Sequence, residues 1–222
     1  MTTDNAAHYD ASRARIAGLV RDADPTTPVG ACPGWTIGDL VAHLAGCLGD
    51  FLAGRFAVDE GDDFGERTVR ERRHQSIGDS LAEWERNRAT ADEALAGPMG
   101  GVLVAEVISH EQDVRQAVRA SRVPDAEALR EALVRPLQEI ERKAREANRP
   151  AVRLVVDGEP RLVGVGEPGA TLTVSTFDLL RIVGGRRSRS QTRELDWSGD
   201  DPEPYLDALT MFGGFRDTPL EE

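Results

Sequence analysis

Long apolar runs are missing from this 222-residue chain. No stretch of eighteen consecutive apolar residues occurs, so no membrane-spanning helix is expected. Lysine is nearly absent: Lys143 stands alone among 27 basic residues, and the rest are arginine. That bias fits the GC-rich codons of arginine and says little about chemistry. Basic charge falls well short of the 39 acidic residues, leaving a net charge of -12. Such a surface repels phosphates, so nucleic acid is not an expected partner. Cysteine is scarce too. Cys32 and Cys47 lie fifteen positions apart and are expected as reduced, structural thiols rather than a disulfide. The opening residues Met1-Thr2-Thr3-Asp4-Asn5 have neither a basic region nor an apolar core. A signal peptide is therefore not expected, and the cytoplasm is the expected location.

What is present is helical periodicity over the first two-thirds of the chain. One helix is expected over residues 5–22, with Ile16, Leu19 and Val20 as its stripe. Pro25 and Pro28 end it and open a loop through Cys32-Pro33-Gly34-Trp35. Thr36 is the expected N-cap of the next helix, with Asp39 in the capping-box position. That helix carries Ile37, Leu40, Val41, Leu44, Leu48 and Phe51 at helical spacing. Residues 56–72 are polar and acidic and read as a loop. Further helices are expected over 76–95, 102–120 and 125–148, with Pro136 kinking the last.

The period changes after Pro150. Strands are expected over 151–156, 161–165 and 170–174, with Asp157-Gly158 as a hairpin turn. A short helix capped by Ser175 or Thr176 should follow and run to Val183. A last strand over 195–197 and a helix over 204–212 complete the pattern. The expected division is a helical bundle over 1–149 and a small α+β lobe over 150–222.

Two features carry chemistry. Glu106 and His110 are four residues apart on one helix, which stacks them on one face. His110 falls in register with Leu103, Val107 and Val114, and Glu106 borders that stripe. A buried carboxylate needs a compensating partner, either an arginine or a metal ion. His43 lies beside the Leu40–Leu44 ridge of the second helix, and inward groups of facing helices can converge. Two histidines and a glutamate form a zinc set that leaves a fourth position open. The alternative is two core histidines, each satisfied by a carboxylate. Asp113, one turn after His110, is placed to accept an imidazole N–H.

Other residues have plainer readings. Trp35 packs its turn onto the bundle or borders the pocket. His8 and His74 are expected in solvent. Glu111 and Arg115 form a surface pair worth a few tenths of a kcal/mol. Arg181, Arg186 and Arg187 are candidates for anchoring an acidic group, since arginine pairs with carboxylates through two N–H donors. A solvated arginine-rich turn is the alternative.

The segment Ala31-Cys32-Pro33-Gly34-Trp35-Thr36, followed by Asp39-Leu40-Val41-Ala42-His43-Leu44-Ala45-Gly46, resembles the opening signature of the mycothiol-dependent maleylpyruvate isomerase family. Glu106-Val107-Ile108-Ser109-His110-Glu111-Gln112-Asp113-Val114-Arg115 resembles that family's second signature, E-x-x-x-H-x-x-D-x-R. The resemblance implies an up-down, DinB-like four-helix bundle with a small sterol-carrier-like lobe, to which Asp178-Leu179-Leu180-Arg181 and Gly185-Arg186 correspond. It implies zinc, or another divalent ion, on His43, Glu106 and His110, and mycothiol as cosubstrate. The thiol would add to an electrophile, either leaving again after isomerisation or staying attached as in a transferase. A non-catalytic, metal-containing protein that binds a small ligand is the alternative function. Neither reading needs a membrane partner, and a monomer or weak dimer would suffice.

Overall fold

The computed structural model describes residues 4–55, 63–122, 126–211 and 214–221. Its contacts divide the chain into two compact units, Met1–Pro124 and Asp125–Glu222. Among the described residues, no helix is long and apolar enough to cross a membrane.

The first unit is the up-down four-helix bundle. Its helices are α1 (Asn5–Val20), α2 (Ile37–Leu52), α4 (Ile77–Arg88) and α6 (Gly100–Ala117), with the shorter α3 (Phe64–Arg72) and α5 (Asp92–Ala96) inserted. α1 packs on α6, and α2 packs on α3, α4 and α6. The start of α2 is set by its sequence. Thr36 accepts a hydrogen bond from the Asp39 amide while the Asp39 side chain receives the Thr36 amide. Such a cap is worth about 1 kcal/mol. Ser76 and Asp79 repeat the device at α4. Gly100 begins α6 against the end of α5. A β-carbon there would come within 1.9 Å of the Leu95 carbonyl oxygen, so only glycine fits.

Three expectations change in this unit. Residues 64–72 are helical, where the sequence reads as a loop; Asp63 caps the helix by accepting from the Glu66 amide. Residues 56–62 of that expected loop lie outside the described residues. The helix expected over 76–95 is two helices, broken at Ala89-Thr90-Ala91. Glu111 is not a surface residue. Its side chain is 0% exposed. It receives two hydrogen bonds from Arg15 of α1, at 2.8 Å each, one from Ser12 at 2.7 Å and one from Arg115 at 2.9 Å. Glu111, expected in a surface pair with Arg115, is instead a buried pin between α1 and α6 through Ser12 and Arg15.

The second unit joins α7 (Ala126–Glu146) to a four-stranded sheet. Its strands are β1 (Pro150–Val156), β2 (Glu159–Val163), β3 (Val165–Val174) and β4 (Asp196–Gly199), in the order β2-β1-β3-β4. Asp157 and Gly158 both have positive φ, 48° and 92°, as the tight β1–β2 hairpin turn requires. The chain then crosses to the other side of β1 at Gly164. A β-carbon there would meet the Pro150 carbonyl at 2.5 Å. β3 therefore lies parallel to β1 rather than beside β2, and the two strands expected over 161–165 and 170–174 resolve into β2 and one long β3. Ser175 caps α8 (Thr176–Val183) as expected. α9 (Arg189–Arg193) and α10 (Glu203–Leu206) complete the unit. The expected end of the last helix at Phe212 falls outside the described residues, as does Asp125.

The division at 124/125 differs from the boundary expected near 150. α7 lays its apolar stripe, Ala128, Ala132, Leu133, Leu137 and Ile140, against α8 and β2. Helical periodicity alone does not say which neighbours a helix will choose.

Candidate metal centre

The site starts with a turn. In Cys32-Pro33-Gly34-Trp35 the Trp35 amide donates to the Cys32 carbonyl at 3.0 Å, and Gly34 has φ +87°. Proline second and a positive-φ glycine third are what a type II turn needs. The turn is fastened at its base, where the Val29 amide donates to the Trp35 carbonyl at 2.9 Å. Cys32 and Trp35 thus stand at fixed places beside α2 and α6.

His43 on α2 and His110 on α6 project into this corner, their side chains 4% and 7% exposed. Glu106, one turn before His110, is 33% exposed. The Glu106 Oε1 atom lies 2.7 Å from Nε2 of His43 and 3.2 Å from Nε2 of His110. The three candidate ligands read from the sequence therefore meet at one point, and Glu106 opens that point to solvent.

The opposite ring nitrogens are held. Thr68 of α3 donates its hydroxyl proton to the Gly65 carbonyl at 2.7 Å, so at 2.7 Å its oxygen accepts from Nδ1 of His43. Nδ1 of His110 is 2.9 Å from a carboxylate oxygen of Asp113, whose side chain is 0% exposed. Each ring therefore turns Nε2 toward Glu106. Two ring nitrogens and a carboxylate oxygen this close need positive charge between them, either protons or a cation.

Protonation fits that requirement. Burial alone would push the Glu106 carboxyl up, but the charge and hydrogen bond of His110, with those of His43, hold it well below the usual carboxylate range. Burial disfavours the His110 imidazolium, yet Glu106, then Asp113 and Cys32, raise its pKa well above the ordinary 6.5. The donor set also suits a divalent ion of the zinc type: two imidazoles and a carboxylate, with both histidines held through their far nitrogens. Within 4.8 Å of one another, the ligand atoms of His43, Glu106 and His110 form one such group among the described residues. Cys32, His110 and Asp113 form another. Cys47 belongs to neither. Burial, then Glu106 and Asp50, push its thiol well above the usual range, so it stays a protonated thiol.

Sequence reasoning left Trp35 open and missed Phe64, Thr68 and the approach of Cys32. Trp35 does border the site: its ring centroid is 4.8 Å from that of His43 and 6.3 Å from that of His110, on which it stacks. Its indole N–H is held by Glu66 at 2.6 Å. Phe64 meets His43 edge-on at 6.4 Å. Thr68 holds His43, and both Phe64 and Thr68 come from the helix read as a loop. Cys32, read as structural, reaches the Asp113 carboxylate at 3.5 Å and Nδ1 of His110 at 4.0 Å. The candidate anchors Arg181 and Arg186 lie in the second unit. Arg181 is 1% exposed. Arg186 follows Gly185, whose φ is +74°, and donates to the Gly184 carbonyl at 2.6 Å. Of the other histidines, His74 is exposed as expected and His8 is half-buried.

Comparison with known proteins adds a family to this geometry. A crystal structure of the mycothiol-dependent maleylpyruvate isomerase matches with a TM-score of 0.59 and 15% identity, over 90% of this chain and 95% of that one. A mutant of that enzyme, with one histidine replaced by alanine, matches over the same shares at 15% identity and a TM-score of 0.58. At that identity the likeness is one of fold. No curated protein matches the chain. The model of the mycothiol maleylpyruvate isomerase N-terminal domain matches residues 6–115, which span the turn, α2, α3, most of α6 and every residue of the centre. Through those residues the first unit carries the N-terminal domain of the mycothiol maleylpyruvate isomerase family.

Proposed function

We propose that this protein is a metal-dependent enzyme that uses mycothiol, a low-molecular-weight thiol, against an electrophilic substrate. The reaction is a maleylpyruvate isomerase-like isomerisation or a thiol transfer. One observation carries the reading. Nε2 of His43, Nε2 of His110 and Oε1 of Glu106 converge at a point where Glu106 is 33% exposed, and Cys47 is not among the converging ligand atoms. Three protein donors with an open side are the pattern of a catalytic rather than a closed structural site.

His43, Glu106 and His110 would hold the ion, and Asp113 and Thr68 would fix the two rings. A divalent ion there would supply the positive charge that favours the thiolate of a bound thiol, whose free pKa is about 8.5. The chain's own residues set the rest. Trp35 and Phe64 wall the histidines with aromatic surface and keep bulk water from their faces. Within the second unit, Arg186 would offer paired N–H donors to an acidic group. The reaction would take place in the cytoplasm.

The test is turnover by the metal-loaded protein with mycothiol and maleylpyruvate, and then with other electrophiles. Thiol-dependent isomerisation or thiol consumption is expected, and His43→Ala should abolish it. Equal rates in the two proteins would contradict the proposal.

A further inference from the structure

His110 faces two ways. Nε2 points to Glu106 and His43, while Nδ1 points to a second set of donors, Cys32 Sγ and Asp113 Oδ2. Their separations are 2.9 Å (His110 Nδ1 to Asp113 Oδ2), 3.5 Å (Cys32 Sγ to Asp113 Oδ2) and 4.0 Å (Cys32 Sγ to His110 Nδ1). Tetrahedral ligands with bonds of ~2.0 Å to nitrogen or oxygen and ~2.3 Å to sulfur stand about 3.3–3.5 Å apart. Each edge of the observed triangle is within about half an ångström of that value. The thiolate, imidazole and carboxylate needed are therefore nearly in place without moving a helix.

We propose that Cys32, Asp113 and Nδ1 of His110 form a second cation position, back to back with the proposed centre through the shared imidazole, and that it takes a thiophilic divalent ion. The donor chemistry sets the preference. The His43–Glu106–His110 group offers only nitrogen and oxygen, whereas this one adds a sulfur, which favours softer ions such as zinc or cadmium over magnesium or calcium. The fastened type II turn supplies that sulfur and limits the rearrangement that binding requires. Asp113 is fully buried, and an ion bound beside it would displace the Nδ1 and Cys32 thiol protons to solvent, so that with both positions filled His110 would bridge them as the imidazolate. Cys32 is half-buried, which leaves an approach from its side. The position extends the proposed centre through His110, yet the two can be tested separately.

The probe is cobalt(II), titrated into the metal-free full-length protein. A thiolate on cobalt gives a charge-transfer band in the near ultraviolet, and a site of nitrogen and oxygen donors gives none. The wild type should show the band. Cys32→Ser should lose it while keeping the equivalent of cobalt that produces no band. Cys47→Ser should retain it, and so should His43→Ala, which should lose the band-free equivalent instead. Absence of the band in the wild type, its survival in Cys32→Ser or its loss in His43→Ala would overturn the second position. Failure of His43→Ala to remove the band-free equivalent would count against the proposed centre alone.

Discussion

His43 turns Nε2 toward Glu106 because Thr68 holds its other ring nitrogen. The Thr68 oxygen lies 2.7 Å from Nδ1 of His43 and has given its own proton to the Gly65 carbonyl. It can therefore only accept from the ring. The orientation of a candidate ligand is thus set by a neutral side chain from a different helix.

Replacing Thr68 with valine keeps the shape and removes the acceptor. Metal affinity should fall roughly ten- to a hundredfold, the usual cost of losing an outer partner of a metal-bound histidine. The unfolding midpoint of the metal-free protein should change little by comparison. Competition with a chromophoric chelator measures the first quantity and thermal melting the second. Unchanged affinity would show that Thr68 does not orient the ring.

Metal binding near neutral pH should release protons. In the metal-free protein burial disfavours the His110 imidazolium, but Glu106, Asp113 and Cys32 together raise its pKa well above 6.5. Its Nε2 is then protonated at pH 7 and must lose that proton to coordinate. Calorimetry in buffers of different ionisation enthalpy should count about one proton per metal at pH 7. The count should fall as pH climbs through the raised pKa. The sign for stability follows from the same shifts. The His110 contribution to the metal-free fold is fully present below the unfolded pKa of about 6.5 and is lost as pH rises through the folded one. The Glu106 contribution is present above its unfolded pKa and is lost as pH falls through its depressed folded value. No proton release at pH 7 would contradict this pairing.

Glu111→Ala should destabilise the protein by about 3 kcal/mol, because it strands Arg15 and Arg115 beside a buried cavity and removes the pin between α1 and α6. Urea denaturation measures the loss. A change below about 0.5 kcal/mol, the size of a surface pair, would restore the reading that the sequence alone suggests.

Much of this architecture was legible in local chemistry. The Thr36–Asp39 box, the Ser175 cap and the Asp157-Gly158 turn announce themselves because each involves residues within a few positions of one another. The convergence of His43, Glu106 and His110 was legible because Glu106 and His110 share a helical face and the motifs around them match a family. Other features depend on contacts distant in sequence. Cys32 is 78 residues from His110, and nothing near Cys32 foretells that neighbour. α3 buries only Thr68 and Val69, too little apolar surface to show a period amid its charges. Glu111 looked exposed because its nearest charged partner is Arg115, while Arg15, which helps to bury it, comes from α1. The place of α7 in the second unit depends on α8 and β2, not on its own pattern.

The central claim is that His43, Glu106 and His110 hold a metal ion, and metal analysis of the protein purified without chelators tests it most directly. The wild type should carry about one equivalent of zinc, nickel or cobalt in this position, on the pattern of three-ligand sites. His43→Ala, folded by circular dichroism, should lose that equivalent. A metal-free wild type that takes up no ion on reconstitution, or a His43→Ala variant that keeps the full amount, would contradict the claim.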